Sequence, residues 1–104
     1  MGGNSLTIWR GFPAEAQREG GFQLDLMQKG VEPTNWRPMR GIGTGVIELR
    51  IWDDAKRTYR IICTARFANR IVVLHVFEKK SQKTPQREIE IARQRYKDLE
   101  RAFR

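Results

Sequence analysis

The most regular pattern in the chain lies at its C-terminal end. Ile89, Ala92, Tyr96, Leu99 and Phe103 recur at spacings of three, four, three and four. That period predicts one apolar stripe on an α-helix, with charged residues around the rest. Thr84 is placed to cap this helix and Pro85 to open it. Upstream the period changes to two. In VIELRIW (46–52), Ile47, Leu49 and Ile51 share one face, and Glu48 and Arg50 the other. In TYRIICTAR (58–66), Tyr59, Ile61 and Cys63 alternate with Arg60, Ile62, Thr64 and Arg66. RIVVLHVFEKK (70–80) is more continuously apolar, as a central strand is. The connections DDAKR and FAN are short, so the three strands are expected to form an antiparallel meander.

The N-terminal half is less regular. SLTIWRG alternates weakly and reads as a short strand at 5–10. Pro13 suits the first position of a helix that runs to about Lys29, with Gly30 as its stop. Phe22, Leu26 and Met27 fall on one face of that helix. Gly20 and Gly21 would each cost about 1 kcal/mol against Ala, so they mark a break or a close approach. Residues 30–45 read as a linker anchored by Trp36 and Met39. The expected fold is α+β in the order β-α-β-β-β-α, with a single domain spanning 1–104.

Composition narrows the class. A chain of 104 residues with 39% apolar and 31% charged residues can bury one real core. No apolar run approaches the ~20 residues of a membrane span, so no membrane association is expected. The first residues carry no charged region followed by an apolar one, and Leu6 stands where a myristoylation motif after Gly2 needs Ser or Thr. One cysteine, Cys63, excludes an internal disulfide, and one Cys with one His cannot build a metal cluster. A cytoplasmic setting without metal or cofactor is the expectation. The net charge of +8 is uneven. Residues 1–45 hold five Lys/Arg against four Asp/Glu, whereas residues 46–104 hold fifteen against eight. A basic half of this kind fits a polyanion or an acidic protein partner.

Candidate chemistry concentrates at one junction. Lys79, Lys80, Lys83 and Arg87 crowd the place where the last strand gives way to the last helix. Cations at a helix N-terminus lose about 0.3–1 kcal/mol each to the macrodipole, so helix stability does not explain them, whereas phosphate binding would; the alternative is a solvated charged edge that keeps the sheet from pairing further. Arg60 and Arg66 on the neighbouring strand extend this into a basic floor. Other signals are weaker. GIGTG (41–45) lacks the Lys-Ser/Thr ending of a phosphate loop and leads into a strand, so it reads as a turn. His75 reads first as a packed core histidine and second as a catalytic group, Cys63 as a small core side chain, and Glu48 as a carboxylate paired with Arg50 or Arg60 before a general base.

The stretches FPAEAQREGGFQLDLMQKGVEPTNWRPMRGIGTGVIELRI, YRI at 59–61 and VLHVFEKKSQKTPQREIEIARQR carry a resemblance. From Trp9 to the last helix the chain resembles the RelE/ParE superfamily of toxin–antitoxin toxins, in its HigB-type, phage-derived branch. The resemblance implies a small RelE-like fold: a curved, mainly antiparallel sheet with helices packed on one side and a basic cleft. It implies a type II toxin, monomeric when free of antitoxin, that cleaves mRNA on the ribosome by metal-independent 2′-OH attack. A cognate helix-turn-helix antitoxin would hold it inactive. By position it matches the family's Tyr-Arg pair to Tyr59 and Arg60, with Arg60 as phosphate stabiliser, its basic pair to Lys79 and Lys80, as base or phosphate clamp, and its Lys-Thr-Pro segment to Lys83, Thr84 and Pro85. Charge and place in the chain, not the resemblance, add Arg50, Arg66 and Arg87 to Lys83 and Thr84 as expected RNA- or phosphate-binding residues, with His75 and Glu48 second-rank. Glu48 and Arg50 stand where RelE-type toxins carry lysines, so the proton-transfer scheme does not transfer. The rival expectations are a ParE-like poison of DNA gyrase and an inactive prophage remnant.

Overall fold

A computed structural model describes residues 5–67, 70–80 and 83–103. Residues 1–4 of the N-terminal signal reading, Gly2 among them, Ala68 and Asn69 of the FAN connection, and Ser81 and Gln82 of the basic junction lie outside the described residues. The element order is α1 (Ser5–Arg10), α2 (Ala14–Gln28), β1 (Trp36–Pro38), β2 (Val46–Trp52), β3 (Thr58–Thr64), β4 (Val72–Lys79) and α3 (Gln86–Ala102). The four strands form one antiparallel sheet in the order β1-β2-β3-β4. The α+β class and the open antiparallel sheet are therefore as expected.

Alternation in the strands builds two cores. Leu49, Ile51, Tyr59, Ile61, Cys63 and Val76 form one with Phe12 and Ala16, and Trp9 and Met27 pack against it. Val46, Ile62, Leu74 and Phe77, on the opposite face of the sheet, form the other with Ala92 and Tyr96 of α3. The one-sided helix layer of the expectation is α1 with α2. Helix α3 lies across part of the other surface, and α3 touches chiefly β4. Among the described residues no helix is long and apolar enough to cross a membrane.

Four local expectations need correction. Residues 5–10 form a helix, not a strand. Trp9 and Phe12 are three apart, and a helical turn closed by Gly11 N–H to Ile8 O at 3.1 Å and Phe12 N–H to Trp9 O at 3.1 Å drops both onto the core. Two aromatics at helical spacing outweigh a weak alternation. Phe22 is 54% exposed. The buried face of α2 is instead Ala16, Gly20 and Gln23. Smallness selects it: a Cβ at Gly20 would overlap the Trp9 ring and lie 2.9 Å from Ile61 Cδ1. The stretch 30–45 contains β1, paired Trp36↔Leu49, Arg37↔Glu48 and Pro38↔Ile47. Finally, Pro13 and Pro85 each occupy the N-cap position, one residue earlier than expected, and neither helix has a side-chain cap bond. Gly30 does stop α2. It takes φ +81°, with Gly30 N–H to Met27 O at 3.0 Å and Val31 N–H to Leu26 O at 2.8 Å.

One irregularity in β4 positions the site. Ile62 pairs with His75 but Cys63 pairs with Val73, so Leu74 is an extra residue. This bulge lets Leu74 join the α3 core while His75, the next residue, also meets α3. Beyond it, Phe77 pairs with Arg60 and Lys79 with Thr58. Lys79 therefore shares a face with Arg60.

Candidate functional site

The uncovered end of the α3-side face is cationic. Register places Arg37 opposite Glu48 and Arg50 opposite Arg60, and parity adds Lys79. Four cations thus surround one carboxylate. Like charges directly opposite on a sheet are destabilising, so pairing alone does not account for Arg50 beside Arg60.

Glu48 is fully buried and gathers its neighbours. Its Oε1 accepts from Arg37 Nε at 3.0 Å and lies 3.2 Å from Arg60 Nε. Its Oε2 accepts from Thr84 Oγ1 at 3.0 Å, and Thr84 accepts from Arg37 Nη2 at 3.1 Å. The expected Glu48–Arg60 pairing is present; the partner on β1, Arg37, went unforeseen because its segment reads as linker.

Arg60 carries the most informative feature. Its side chain is only 9% exposed, yet Nε and Nη1 have no hydrogen-bond acceptor. The Nε–H is close to Glu48 but is not directed at it, so the contact is ionic only. Arg50 Nε is buried and unpartnered as well. A buried donor without an acceptor costs about 1–3 kcal/mol, more for a charged group. Several such donors on one cationic surface are matched to an anion's oxygens. Burial, with Arg50 and Arg37 nearby, lowers the Arg60 pKa against the opposing pull of Glu48. Lys79 is half-buried, and its pKa lies below the usual 10.5 through burial first and then through Arg60, with Glu48 opposing. An ammonium shifted in this way releases its proton more readily.

The other sequence candidates divide. Lys80 follows Lys79 beyond the strand end and is exposed. Lys83 is exposed immediately before Thr84, and Arg87 is exposed in the first turn of α3. Thr84 joins the cluster, but through its hydroxyl bonds to Glu48 and Arg37. Arg66 is elsewhere. It lies beyond the far end of β3, roughly 20 Å from Arg60 at strand rise. There it bonds to Tyr96 Oη, lies 3.3 Å from Glu100 and stacks over Phe67 at 5.1 Å. His75 is buried between Glu88, which it bonds through Nε2, and Arg95, 3.1 Å from Nδ1. Burial lowers its pKa despite Glu88. It ties β4 to α3 and does not reach the Arg60 cluster through any described bond. Cys63 is a core side chain whose thiol burial pushes up to about 12. Among the described residues no group of His, Cys, Asp and Glu is placed to hold a metal ion.

The geometry can bind an anion, stabilise charge developing on it and offer one lysine as a proton acceptor. A comparison with the curated proteins finds no match. The family model "phage derived protein Gp49-like (DUF891)" matches residues 8–97. That span runs from α1 through most of α3 and includes every residue of the Arg60 cluster. The chain belongs to the phage-derived Gp49-like family.

Proposed function

We propose that this protein is the toxin of a type II toxin–antitoxin system and acts as a ribosome-dependent mRNA endonuclease. The observation that supports this reading best is the buried guanidinium of Arg60, whose Nε and Nη1 have no hydrogen-bond acceptor, among like charges. The phage-derived family is compatible with it.

RNA carries its own nucleophile, so the protein needs a base, an acid and a charge stabiliser. Lys79, in its neutral form, takes the 2′-OH proton. The 2′-oxygen then bonds to the adjacent phosphorus as the bond to the 5′-oxygen breaks. That oxygen receives a proton from a cationic neighbour such as Lys80, or from water. The products are a 2′,3′-cyclic phosphate and a 5′-OH. Arg60 stays protonated and directs its free N–H groups at the non-bridging oxygens as negative charge develops. Arg50 raises the local potential, and Lys83 and Arg87 hold the flanking backbone. A cognate helix-turn-helix antitoxin, with an acidic or amphipathic segment, would cover this surface and block it.

Purified protein added to programmed ribosomes should yield message ending in 2′,3′-cyclic phosphate or 3′-phosphate. Co-expression with the adjacent small helix-turn-helix gene product should restore growth and give a complex on gel filtration. Intact message together with inhibited gyrase would overturn the nuclease reading in favour of a gyrase poison.

A further inference from the structure

Glu48, Thr84 and Arg37 close a hydrogen-bonded ring. Arg37 donates to Glu48 through Nε and to Thr84 through Nη2, and Thr84 donates to the second Glu48 oxygen. The three side chains come from separate pieces of chain: β1, β2 and the segment before α3. Thr84 sits one residue before the N-cap Pro85, and α3 has no side-chain cap bond. A hydroxyl at a helix start ordinarily stabilises the helix by capping a free backbone N–H. Here it is turned toward a buried carboxylate instead.

A proton acceptor for the 2′-OH needs an accessible lone pair directed at substrate. Glu48 is fully buried, both its oxygens are engaged, and Arg60 lies against one of them. A simple counter-ion for Arg60 would need neither Arg37 nor Thr84. Resting on the proposed function, we infer that Glu48 is a positioning residue. Its carboxylate sets Arg37 and Arg60 side by side as a two-cation clamp for the scissile phosphate, and its bond to Thr84 docks the segment carrying Lys83 onto the same surface. Arg60 is the inner jaw, with its side chain 9% exposed. Arg37 is the outer jaw at 40%, a phosphate contact supplied by the short strand β1. The ring fixes the Arg37 guanidinium, and the ion pair with Glu48 together with burial holds that of Arg60, before substrate arrives, so little side-chain freedom is lost on binding.

The role has an electrical signature. Glu48 opposes the lowering of the Lys79 pKa. Neutralising Glu48 therefore moves the Lys79 titration to lower pH, an effect that support of the fold alone would not produce.

Two arms test the inference. The first is single-turnover cleavage on programmed ribosomes over about pH 6 to 9, comparing wild type with Glu48→Gln. The plateau rate should drop by about tenfold to a hundredfold through misplaced guanidiniums. The rising pH limb should persist and shift toward lower pH. Loss of the limb would make Glu48 the base and overturn the positioning role, as would an unmoved limb at full rate. The second arm needs no cleavage. Binding of a short 2′-O-methyl RNA is measured by fluorescence anisotropy, with thermal melts alongside. Arg37→Ala should weaken binding about tenfold, the loss of one charge-assisted contact. Thr84→Val should weaken it about threefold in the wild-type background, Thr84→Ser should restore it, and the Thr84→Val effect should shrink in the Arg37→Ala background, where only the Thr84–Glu48 bond is left to lose. Additive effects, or no RNA binding by wild type, would overturn the clamp. If ribosomes leave message intact while the binding cycle couples as expected, the nuclease reading fails and the clamp stands.

Discussion

The α3-side face carries arginines at both ends, and the two ends treat them differently. At one end Arg66 reaches Tyr96 and Glu100, Arg93 donates to Gly41 O at 3.1 Å, and Arg95 donates to Leu74 O at 2.8 Å and contacts His75. Each bridges α3 to a strand or a loop through bonds that are already made. At the other end the buried Arg60 and the half-buried Arg50 carry buried N–H groups, Nε and Nη1 of Arg60 and Nε of Arg50, that hydrogen-bond to nothing in the protein. Both sets look alike in a charge count. What separates them is satisfaction: a guanidinium whose donors are used holds structure together, whereas one whose donors are buried and idle carries a desolvation cost that no protein group offsets.

The comparison can be broken most directly at Arg60. Arg60→Ala should lower single-turnover cleavage roughly 10²–10³-fold, by analogy with loss of one oxyanion-hole donor. Arg60→Lys should recover only part, because a point charge cannot make the two-pronged contact. The circular dichroism melt should remain cooperative, since a buried under-bonded cation is weak support for a fold. A rate within about threefold of wild type, only ~0.65 kcal/mol in barrier, would place the site on the wrong residue.

The next largest effect is on pH dependence. If Lys79 must be neutral to act, the rate rises about tenfold per pH unit until its pKa is passed. That pKa is below 10.5 through burial, Arg60 and lesser neighbours including Arg50, so the limb should bend below that value. Arg50→Gln removes one lowering charge and should move the bend to higher pH. A bend that ignores Arg50 would remove Lys79 from the mechanism.

At the structural end the expected changes are smaller and of another kind. Tyr96→Phe removes a buried hydroxyl that donates to Thr44 O at 2.9 Å and accepts from Arg66. Urea denaturation should show a loss of about 1 kcal/mol, with cleavage unchanged. Impaired cleavage there would mean that the two ends are coupled. Smallest is the titration of His75, whose pKa burial lowers from 6.5. The unfolded chain then takes up the proton at a higher pH than the folded one. The contribution is complete above the unfolded value and is lost as pH falls through the folded one. Stability should therefore decline on acidification below about pH 6.5, and His75→Gln should flatten that part of the curve.

Much of the frame was legible in the sequence. The α3 stripe and the alternation in β2 and β3 are strong signals because burial imposes them residue by residue. The short pieces were not. Helix α1 has six residues and β1 three, too few for a period to emerge, and Arg37 was missed along with β1. Arg66 was assigned to the basic floor by extending alternation past Thr64, where the strand ends. Thr84 was read as a cap because local rules score a hydroxyl before a helix and cannot see Glu48, 36 residues upstream. On α2 a polarity pattern favoured Phe22, whereas the packing selected the residue with no side chain, Gly20. Within the candidate site, Arg60 and Lys79 were readable; the ring that binds three chain segments together was not.

The bulge at Leu74 makes the cationic site depend on a count as well as on a composition. Unbroken alternation from Val72 would put Leu74, Val76 and Glu78 on the α3 side, and turn Phe77 and Lys79 toward α2. The structure instead places Val76 in the α2 core and Phe77 in the α3 core. One supernumerary residue acts as a phase slip halfway along the strand. Both halves of β4 keep their own hydrophobic registers, and the slip decides that Lys79 stands beside Arg60, not behind it. Substitutions along this strand would change the strength of the site. A shift of one residue in its length would change which side of the sheet the lysine belongs to.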